Sequence, residues 1–293
     1  MSLPMAGGSA PRPSAADSNQ DKPQVDEAYR THRRFDRAAR LFGETALERL
    51  MRARVLVFGQ GGVGSFAAEA LARSGVGHLV LVDFDQVCVT NTNRQLHAMK
   101  GNIGKNKVDL MAERLRLVHP TSRIEPVAKF YNAETSEELL AGNIDFAVDA
   151  IDNLTAKSHL IATCMARGIP LVSSMGAAAR LDPTKIQVAD LAETERDPFA
   201  RALRKILRKE HGLQIEAGKP TGVRAVFSVE EPREPIAPAY DGGKGFQCVC
   251  PNNKNGLHTC EKRNRIDGSA AFVTGAFGLA CASVVVNSFV ESA

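Results

Sequence analysis

Continuous apolar segments alternate with helical patterns from residue 54 to residue 176. The apolar segments cover 54–58, 78–85, 123–130, 145–151 and 170–176, and the helical patterns between them cover 62–74, 107–120, 134–141 and 155–168. A strand that is apolar along its whole length is buried on both faces, and helices that alternate with such strands connect them in parallel. The sequence therefore predicts an α/β fold with a Rossmann-like, doubly wound, mostly parallel sheet.

The pattern changes after residue 176. Segments 185–191 and 223–229 predict two antiparallel strands at one side of the sheet, with a helix over 197–212 between them. Residues 230–268 are dense in Pro, Gly, Asn and charged residues, which favours a long surface loop. A last helical segment, 268–290, completes the predicted C-terminal extension.

The length and composition suit one large folded domain. The chain has 293 residues, of which 44% are hydrophobic, and this is enough to bury a full core. Residues 1–26 are rich in Pro, Ser, Ala and Gly and predict a disordered tail. We expect a single domain over 27–293, with a nucleotide-binding core at 27–192 and a substrate region at 193–293.

Two features bear on the cellular location. The chain has six cysteines and begins without a signal-peptide pattern, so we expect a reducing, cytoplasmic setting. Segment 268–290 carries no charge and is long enough to cross a bilayer. Its glycine, serine, threonine and asparagine content favours a helix packed on the sheet, and membrane association through it stays open.

A glycine-rich turn joins the first strand to the first helix. Gly59, Gly61 and Gly64 form the pattern G-x-G-x-x-G, and Gly62 adds a fourth glycine. Such a turn lets a phosphate approach backbone amides at a helix N-terminus. Asp83, about 20 residues on, is placed to accept the ribose hydroxyls of an adenosine. These residues predict an adenine-nucleotide site without choosing between NAD and ATP.

The segment from 83 to 107 favours ATP. Arg94 and Lys107 bring two cations to the carboxyl end of the sheet, where phosphates would lie. Other polar side chains of this segment are Asp85, Asn91, Asn93 and Gln95. A site that splits a triphosphate needs such cations, whereas hydride transfer does not. A solvated charged loop is the alternative.

Asp152 and Asn153 close the fourth strand in the motif D-A-I-D-N. Carboxylates at this end of a parallel sheet face the crevice where the strand order reverses, and one of them can bind Mg²⁺ beside a nucleotide phosphate. Asp152 could also cap the helix that follows, a role compatible with binding Mg²⁺.

These motifs together resemble the ubiquitin-activating-enzyme-like adenylating family over about residues 30–192. The matching elements are G-x-G-G-V-G-S, D-x-D-x-V, N-x-x-R-Q at 91–95, G-x-x-K ending in Lys107, and D-x-x-D-N at 149–153. The resemblance implies that ATP activates a carboxylate as an acyl adenylate.

The resemblance also implies roles for individual residues. Gly62 and Asp83 would bind the adenosine part of ATP, 90–94 and Lys107 its phosphates, and Asp152 the magnesium ion. Arg94 and Lys107 would thereby act as catalytic residues that stabilise charge on the phosphates.

An upstream segment resembles the family's entry helix. In R-R-F-D-R-A-A-R-L-F-G, residues 33–43, Arg37 matches the arginine that reaches the ATP of the partner subunit. Ala38 departs from the family pattern, in which glutamine is usual. The resemblance therefore implies a homodimer with a catalytic Arg37 acting across the subunits.

Cysteine placement narrows the chemistry. Family members that form a thioester need a cysteine beyond the fifth strand, and none lies between Met165 and Gln247. Zinc-binding members show two C-x-x-C pairs. The cluster available here is Cys248, Cys250, His258 and Cys260. Its C-x-C spacing is tight for zinc, which disfavours a zinc site.

The predicted helix 197–212 is strongly basic, with Arg201, Arg204, Lys205, Arg208 and Lys209 within nine residues. This indicates either a solvated amphipathic helix or a surface that binds RNA phosphates. With residues 218–232, it resembles the branch of the family that dehydrates threonylcarbamoyladenosine in tRNA. The resemblance implies ATP and Mg²⁺ as cofactors and tRNA as substrate.

Several alternatives remain at this point. The chain could instead adenylate the C-terminal glycine of a ubiquitin-like sulfur-carrier protein. An NAD-dependent enzyme is disfavoured by the cationic segment that follows the second strand. A monovalent cation in the 230–268 loop, and a sulfur-relay or cysteine desulfurase partner, stay open.

Overall fold

The computed structural model describes residues 27–236 and 266–292. The tail predicted over 1–26 and most of the 230–268 loop, including the cluster from Cys248 to Cys260, lie outside the described residues. The chain divides into two compact units, Met1–Asp36 and Arg37–Ala293. In the first unit, helix α1 spans Glu27–Arg34. The sheet and the candidate site belong to the second unit.

One mixed sheet of seven strands forms the centre of the second unit. The strands are β1 (Arg54–Phe58), β2 (His78–Val82), β3 (Arg123–Val127), β4 (Phe146–Asp149), β5 (Leu171–Ser174), β6 (Ile186–Asp190) and β7 (Arg224–Ser228). Their order is β3-β2-β1-β4-β5-β7-β6. Neighbouring strands are parallel except β6 and β7, which are antiparallel at one edge. The predicted fold class is confirmed.

Helices cover both faces of the sheet. They are α2 (Asp36–Phe42), α3 (Glu44–Arg52), α4 (Gly64–Arg73), α5 (Lys107–Val118), α6 (Ala133–Leu139), α7 (Leu154–Ala166), α8 (Pro198–His211) and α9 (Ala271–Glu291). The second strand ends at Val82, short of the predicted residue 85. Just past the strand, the Asp83 carboxylate accepts the backbone N–H of Asp85 at 2.8 Å.

Alternate residues of each strand enter two separate cores. On β1, Val55 and Val57 contribute to the core shared with α4, α5 and α9. Leu56 and Phe58 contribute to the opposite core, shared with α7 and α8. All four side chains are fully buried, as the continuous apolar pattern predicts. The sheet is therefore a rigid platform whose carboxyl edge presents the loops of the site.

Helix α9 packs closely on α4. A Cβ added at Gly278 would lie 2.3 Å from the carbonyl oxygen of Val63, so glycine permits the two backbones to meet. Phe277 and Val285 are fully buried, while Phe272 and Leu279 are more than half exposed. Among the described residues, α9 is the one helix long and apolar enough to cross a membrane. The prediction that segment 268–290 packs on the fold as a helix is confirmed.

Candidate functional site

The glycine turn needs two of its glycines for its own geometry. Gly59 has a φ of 86° and donates its N–H to the Val82 carbonyl at 2.7 Å. A Cβ at Gly59 would lie 2.7 Å from the carbonyl oxygen of Ala150, and one at Gly64 would lie 1.7 Å from that of Gly59. Both positions therefore exclude any side chain: Gly59 lies against the residue that follows β4, and Gly64 lies against Gly59 within the turn.

The other two glycines differ in their surroundings. A Cβ at Gly61 would have one neighbour within 4 Å, the Gln95 Nε2 atom at 3.9 Å, so the space beside Gly61 is open. A Cβ at Gly62 would lie 2.9 Å from Thr274 Oγ1 and 3.1 Å from Arg94 Cγ. Gly62 thus lets α9 and Arg94 approach the turn, while Gly61 leaves room for a ligand.

Asp83, Asp85 and Lys107 form a charged cluster beside the turn. The Asp83 carboxylate accepts the backbone N–H of Gln60 at 2.6 Å and that of Asp85 at 2.8 Å. Lys107 Nζ donates to Asp85 Oδ2 at 2.7 Å and lies 4.0 Å from Asp83 Oδ2. The Asp83 and Lys107 side chains are less than a tenth exposed. Asp83 therefore fixes the glycine turn, and two carboxylates fix Lys107.

The electrostatics of this cluster favour a charged lysine. Burial by itself would lower the pKa of Lys107, but Asp83, Asp85 and the more distant Asp152 raise it above its ordinary value. Burial raises the pKa of Asp83, against the opposing effect of Lys107. Since Asp152 contributes to the lysine pKa, its carboxylate lies within electrostatic reach of the cluster.

The predicted amide residues 91 and 93 shape the loop that carries Arg94. Asn91 Oδ1 accepts the backbone N–H of Cys88 at 2.9 Å. Asn93 Oδ1 accepts from Arg94 Nη1 at 2.9 Å, and Asn93 Nδ2 donates to the Ser269 carbonyl at 2.9 Å. Arg94 Nη1 also donates to the Thr90 carbonyl at 3.0 Å. Asn93 thus orients the guanidinium of Arg94, while Asn91 holds the backbone of the loop.

Two buried polar side chains follow Arg94. Gln95 is 7% exposed, and its Oε1 atom has no hydrogen-bond partner. His97 is 1% exposed, and neither ring nitrogen has a partner. Burial and the nearby charge of Lys107 lower the pKa of His97 to about 4, so its ring is neutral at physiological pH. Sequence reasoning missed His97, although it lies two residues beyond the N-x-x-R-Q motif.

Asp152 is exposed at the end of β4, and its neighbour caps the next helix. Asn153 Oδ1 accepts the backbone N–H of Ala156 at 3.0 Å, at the N-terminus of α7. The alternative in which Asp152 caps this helix is wrong, because Asn153 takes that position. The carboxylate of Asp152 is left to face solvent.

A fully buried ion pair fixes the loop that presents Asp152. Lys157 Nζ donates to Asp149 Oδ2 at 2.7 Å and to Ser173 Oγ at 3.2 Å, and both charged side chains are 0% exposed. Asp149 Oδ1 accepts the backbone N–H of Ile151 at 3.1 Å. Sequence reasoning missed this network. The available signal was Lys157, which is the one Asp, Glu, Lys or Arg residue in α7.

Arg37 lies on α2 and its side chain is exposed. A role across a subunit interface needs a second protomer, so this role stays a prediction. The other predicted site residues come together at the carboxyl edge of β1, β2 and β4. They are Gly59, Gly61, Gly62, Gly64, Asp83, Asp85, Asn91, Asn93, Arg94, Gln95, Lys107, Asp152 and Asn153.

Comparison with known proteins decides the family. The profile of the ThiF family matches residues 35–291, which is most of the chain. The chain belongs to the ThiF family.

Several proteins named for a specific activity are similar to this ThiF family member. A tRNA threonylcarbamoyladenosine dehydratase of Escherichia coli (strain K12) is 39% identical over 274 residues, which cover 92% of this chain and 97% of that protein. A crystal structure of the E. coli tRNA N6-threonylcarbamoyladenosine dehydratase in complex with ATP has a TM-score of 0.77 at 37% identity, covering 92% of this chain and 97% of that one. A molybdopterin-synthase adenylyltransferase of Salmonella typhimurium is 35% identical over 171 residues, 58% of this chain and 66% of that protein.

Proposed function

We propose that this chain is an ATP-dependent tRNA threonylcarbamoyladenosine dehydratase. The observation that carries the proposal is the buried Lys107, which two carboxylates hold charged; one of them, Asp83, also binds the glycine turn. Such a fixed cation suits a triphosphate, and the similarity to the E. coli dehydratase along nearly its whole length supplies the substrate.

The reaction has two steps. A carboxylate oxygen of the threonyl group attacks the α-phosphorus of ATP, the bond to the β-phosphate oxygen breaks, and pyrophosphate leaves. The carbamoyl group then attacks the activated acyl carbon, closes a ring and expels AMP, while a carbamoyl proton passes to solvent. The net change is loss of one water from the nucleoside, driven by ATP cleavage, and no enzyme cysteine bonds to the substrate.

Individual residues of the site have different proposed roles in this reaction. Lys107 and Arg94 stabilise the charge that develops on the phosphates, and Arg37 of the partner subunit is proposed to add a third cation. Asp152 suits Mg²⁺, because its carboxylate does not cap α7 and faces solvent. When bound, Mg²⁺ would neutralise phosphate charge. The described residues contain no cluster of three or more His, Cys, Asp or Glu side chains that could hold a metal ion.

The tRNA is proposed to contact α8. Arg201, Lys205 and Lys209 are exposed at four-residue spacing and therefore share one face of the helix. Arg204, which the sequence grouped with them, instead donates to the Thr194 carbonyl at 2.8 Å and stabilises the fold. Arg208 likewise donates to the Ile215 carbonyl at 3.0 Å, and without Arg204 and Arg208 the proposed RNA surface is one stripe of the helix.

The proposal extends to the oligomeric state and the cellular compartment of the protein. We infer a homodimer in which Arg37 crosses the interface, in the cytoplasm, where tRNA is found.

The test is mass spectrometry of tRNA nucleosides after incubation of the protein with ATP, Mg²⁺ and tRNA that carries threonylcarbamoyladenosine. We expect the modified nucleoside to lose the mass of one water. AMP and pyrophosphate should form in equal amounts. Unchanged tRNA, together with pyrophosphate exchange that depends on a sulfur-carrier protein, would overturn the proposal in favour of a carrier-protein activator.

A further inference from the structure

A second buried ion pair lies one strand beyond Asp152. Arg180 follows β5, and Asp197 caps the N-terminus of α8, where its Oδ1 accepts the backbone N–H of Ala200 at 3.0 Å. A Cβ at Gly176, just past the end of β5, would lie 3.5 Å from Asp197 Oδ1. Since β4 and β5 are parallel, the pair lies at the same edge of the sheet as the proposed ATP site.

The pair leaves hydrogen-bonding capacity unused. The Arg180 side chain is 2% exposed and that of Asp197 is 0% exposed, yet Arg180 Nη2 and Asp197 Oδ2 are 3.9 Å apart, too far for a hydrogen bond. Arg180 Nε and Nη1 and Asp197 Oδ2 have no hydrogen-bond partner. Three N–H groups of a buried guanidinium therefore lack an acceptor, although buried donors are almost always paired.

The backbone holds Arg180 firmly in this position. The Glu230 carboxylate accepts the N–H groups of Leu181 at 3.0 Å and Asp182 at 2.8 Å. The Ala179 carbonyl accepts the N–H of Arg233 at 2.9 Å.

Both members of the pair also follow a strained residue. Ala179 and Arg196, which immediately precede Arg180 and Asp197, are the non-glycine residues with positive φ among those described, at 61° and 53°. Such conformations persist where the surrounding structure imposes them, commonly at ligand-binding positions.

We propose that Arg180 binds the carboxylate of the substrate, the group that ATP activates; this inference rests on the proposed function. A guanidinium donates well to a carboxylate, which has two acceptor oxygens. Arg180 follows β5, so it lies apart from the two cations assigned to the phosphates. The cations suited to phosphate, Arg94 and Lys107, follow β2.

The position of Arg180 also suits the approach of the substrate. A nucleotide bound at the ends of β1, β2 and β4 would not occupy the end of β5, which Arg180 follows. A carboxylate held there by Arg180 meets the nucleotide from that side. Arg180 would then be a binding residue that selects RNA bearing the threonylcarbamoyl group.

The experiment compares two RNA hairpins that differ only in this group. One carries threonylcarbamoyladenosine and the other carries adenosine, and binding of each is measured with a non-hydrolysable ATP analogue present. We expect the wild-type protein to prefer the modified hairpin. Arg180→Gln should lose about tenfold or more in affinity for that hairpin, while its affinities for the unmodified hairpin and the ATP analogue stay unchanged.

Control variants distinguish a carboxylate contact from a phosphate contact or a structural role. Arg201→Gln, on the exposed face of α8, should weaken both hairpins equally. If Arg180→Gln loses affinity equally for both hairpins, Arg180 contacts a phosphate or has a general structural role, and the inference is overturned. An unchanged preference of Arg180→Gln for the modified hairpin would overturn it as well. If Arg180→Gln fails to fold, Arg180→Lys, which keeps the charge but not the planar fork, is read in the same way. If the wild-type protein binds both hairpins equally and forms no cyclic nucleoside, the proposed function is refuted instead.

Discussion

Lys107 is the residue on which the proposed phosphate chemistry depends most. Lys107→Met should reduce the rate of ATP-dependent dehydration by about 10²–10³-fold, because it removes the cation while Asp83 and Asp85 remain to repel the phosphates. Initial rates of AMP release with modified tRNA measure this effect. Lys105→Met removes an exposed lysine two residues away and should leave the rate nearly unchanged. A Lys107→Met protein with undiminished rate would contradict the assignment.

His97 gives the fold a specific sensitivity to acid. Its pKa is lowered from 6.5 to about 4 in the folded protein, so below pH 6.5 the unfolded chain binds a proton that the folded chain does not. The free energy of unfolding therefore falls as the pH drops from 6.5 towards 4, by up to about 1.4 kcal/mol per pH unit from this residue. Urea unfolding of wild type and His97→Gln across this range tests it. The wild type should lose more stability than the variant, and parallel curves would count against the prediction.

At the scale of elements, the loop that presents Asp152 depends on the buried pair beneath it. Lys157→Met should lower the free energy of unfolding by about 3–5 kcal/mol, because it leaves the Asp149 carboxylate buried without its cation. The double variant Lys157→Met with Asp149→Leu should recover much of this loss, since it removes both charges. Urea unfolding of the two single variants and the double variant gives the coupling. Simple additivity of the single effects would show that the two residues do not act as a pair.

The sequence predicts the elements well because their signals are local. Continuous apolar runs mark the strands, and the glycine motif marks the turn between β1 and α4. Contacts between distant segments carry no such signal. Neither the packing of Thr274 on Gly62 nor the bond from Asn93 to Ser269 follows from any spacing along the chain. For the same reason, the sequence could not separate the structural Arg204 from the exposed cations of α8.

At the scale of the whole molecule, the role of Arg37 can be tested by mixing subunits. Arg37→Ala and Arg94→Ala should each be nearly inactive alone. If Arg37 serves the site of the partner, random reassociation of the two variants in equal amounts restores about a quarter of wild-type activity, because half of the dimers then contain one intact site. A mixture as inactive as its components, with dimers verified by light scattering, would place Arg37 in its own subunit's site or outside the chemistry.

Helix α9 completes a turn that the chain encodes much earlier. The glycine motif at 59–64 is synthesised long before Thr274, which lies against Gly62, and before Ser269, which holds Asn93. A nascent chain that has not yet emerged as far as α9 therefore has its nucleotide motif but lacks one wall of the site. A complete nucleotide site should therefore form late in translation, once α9 has been made.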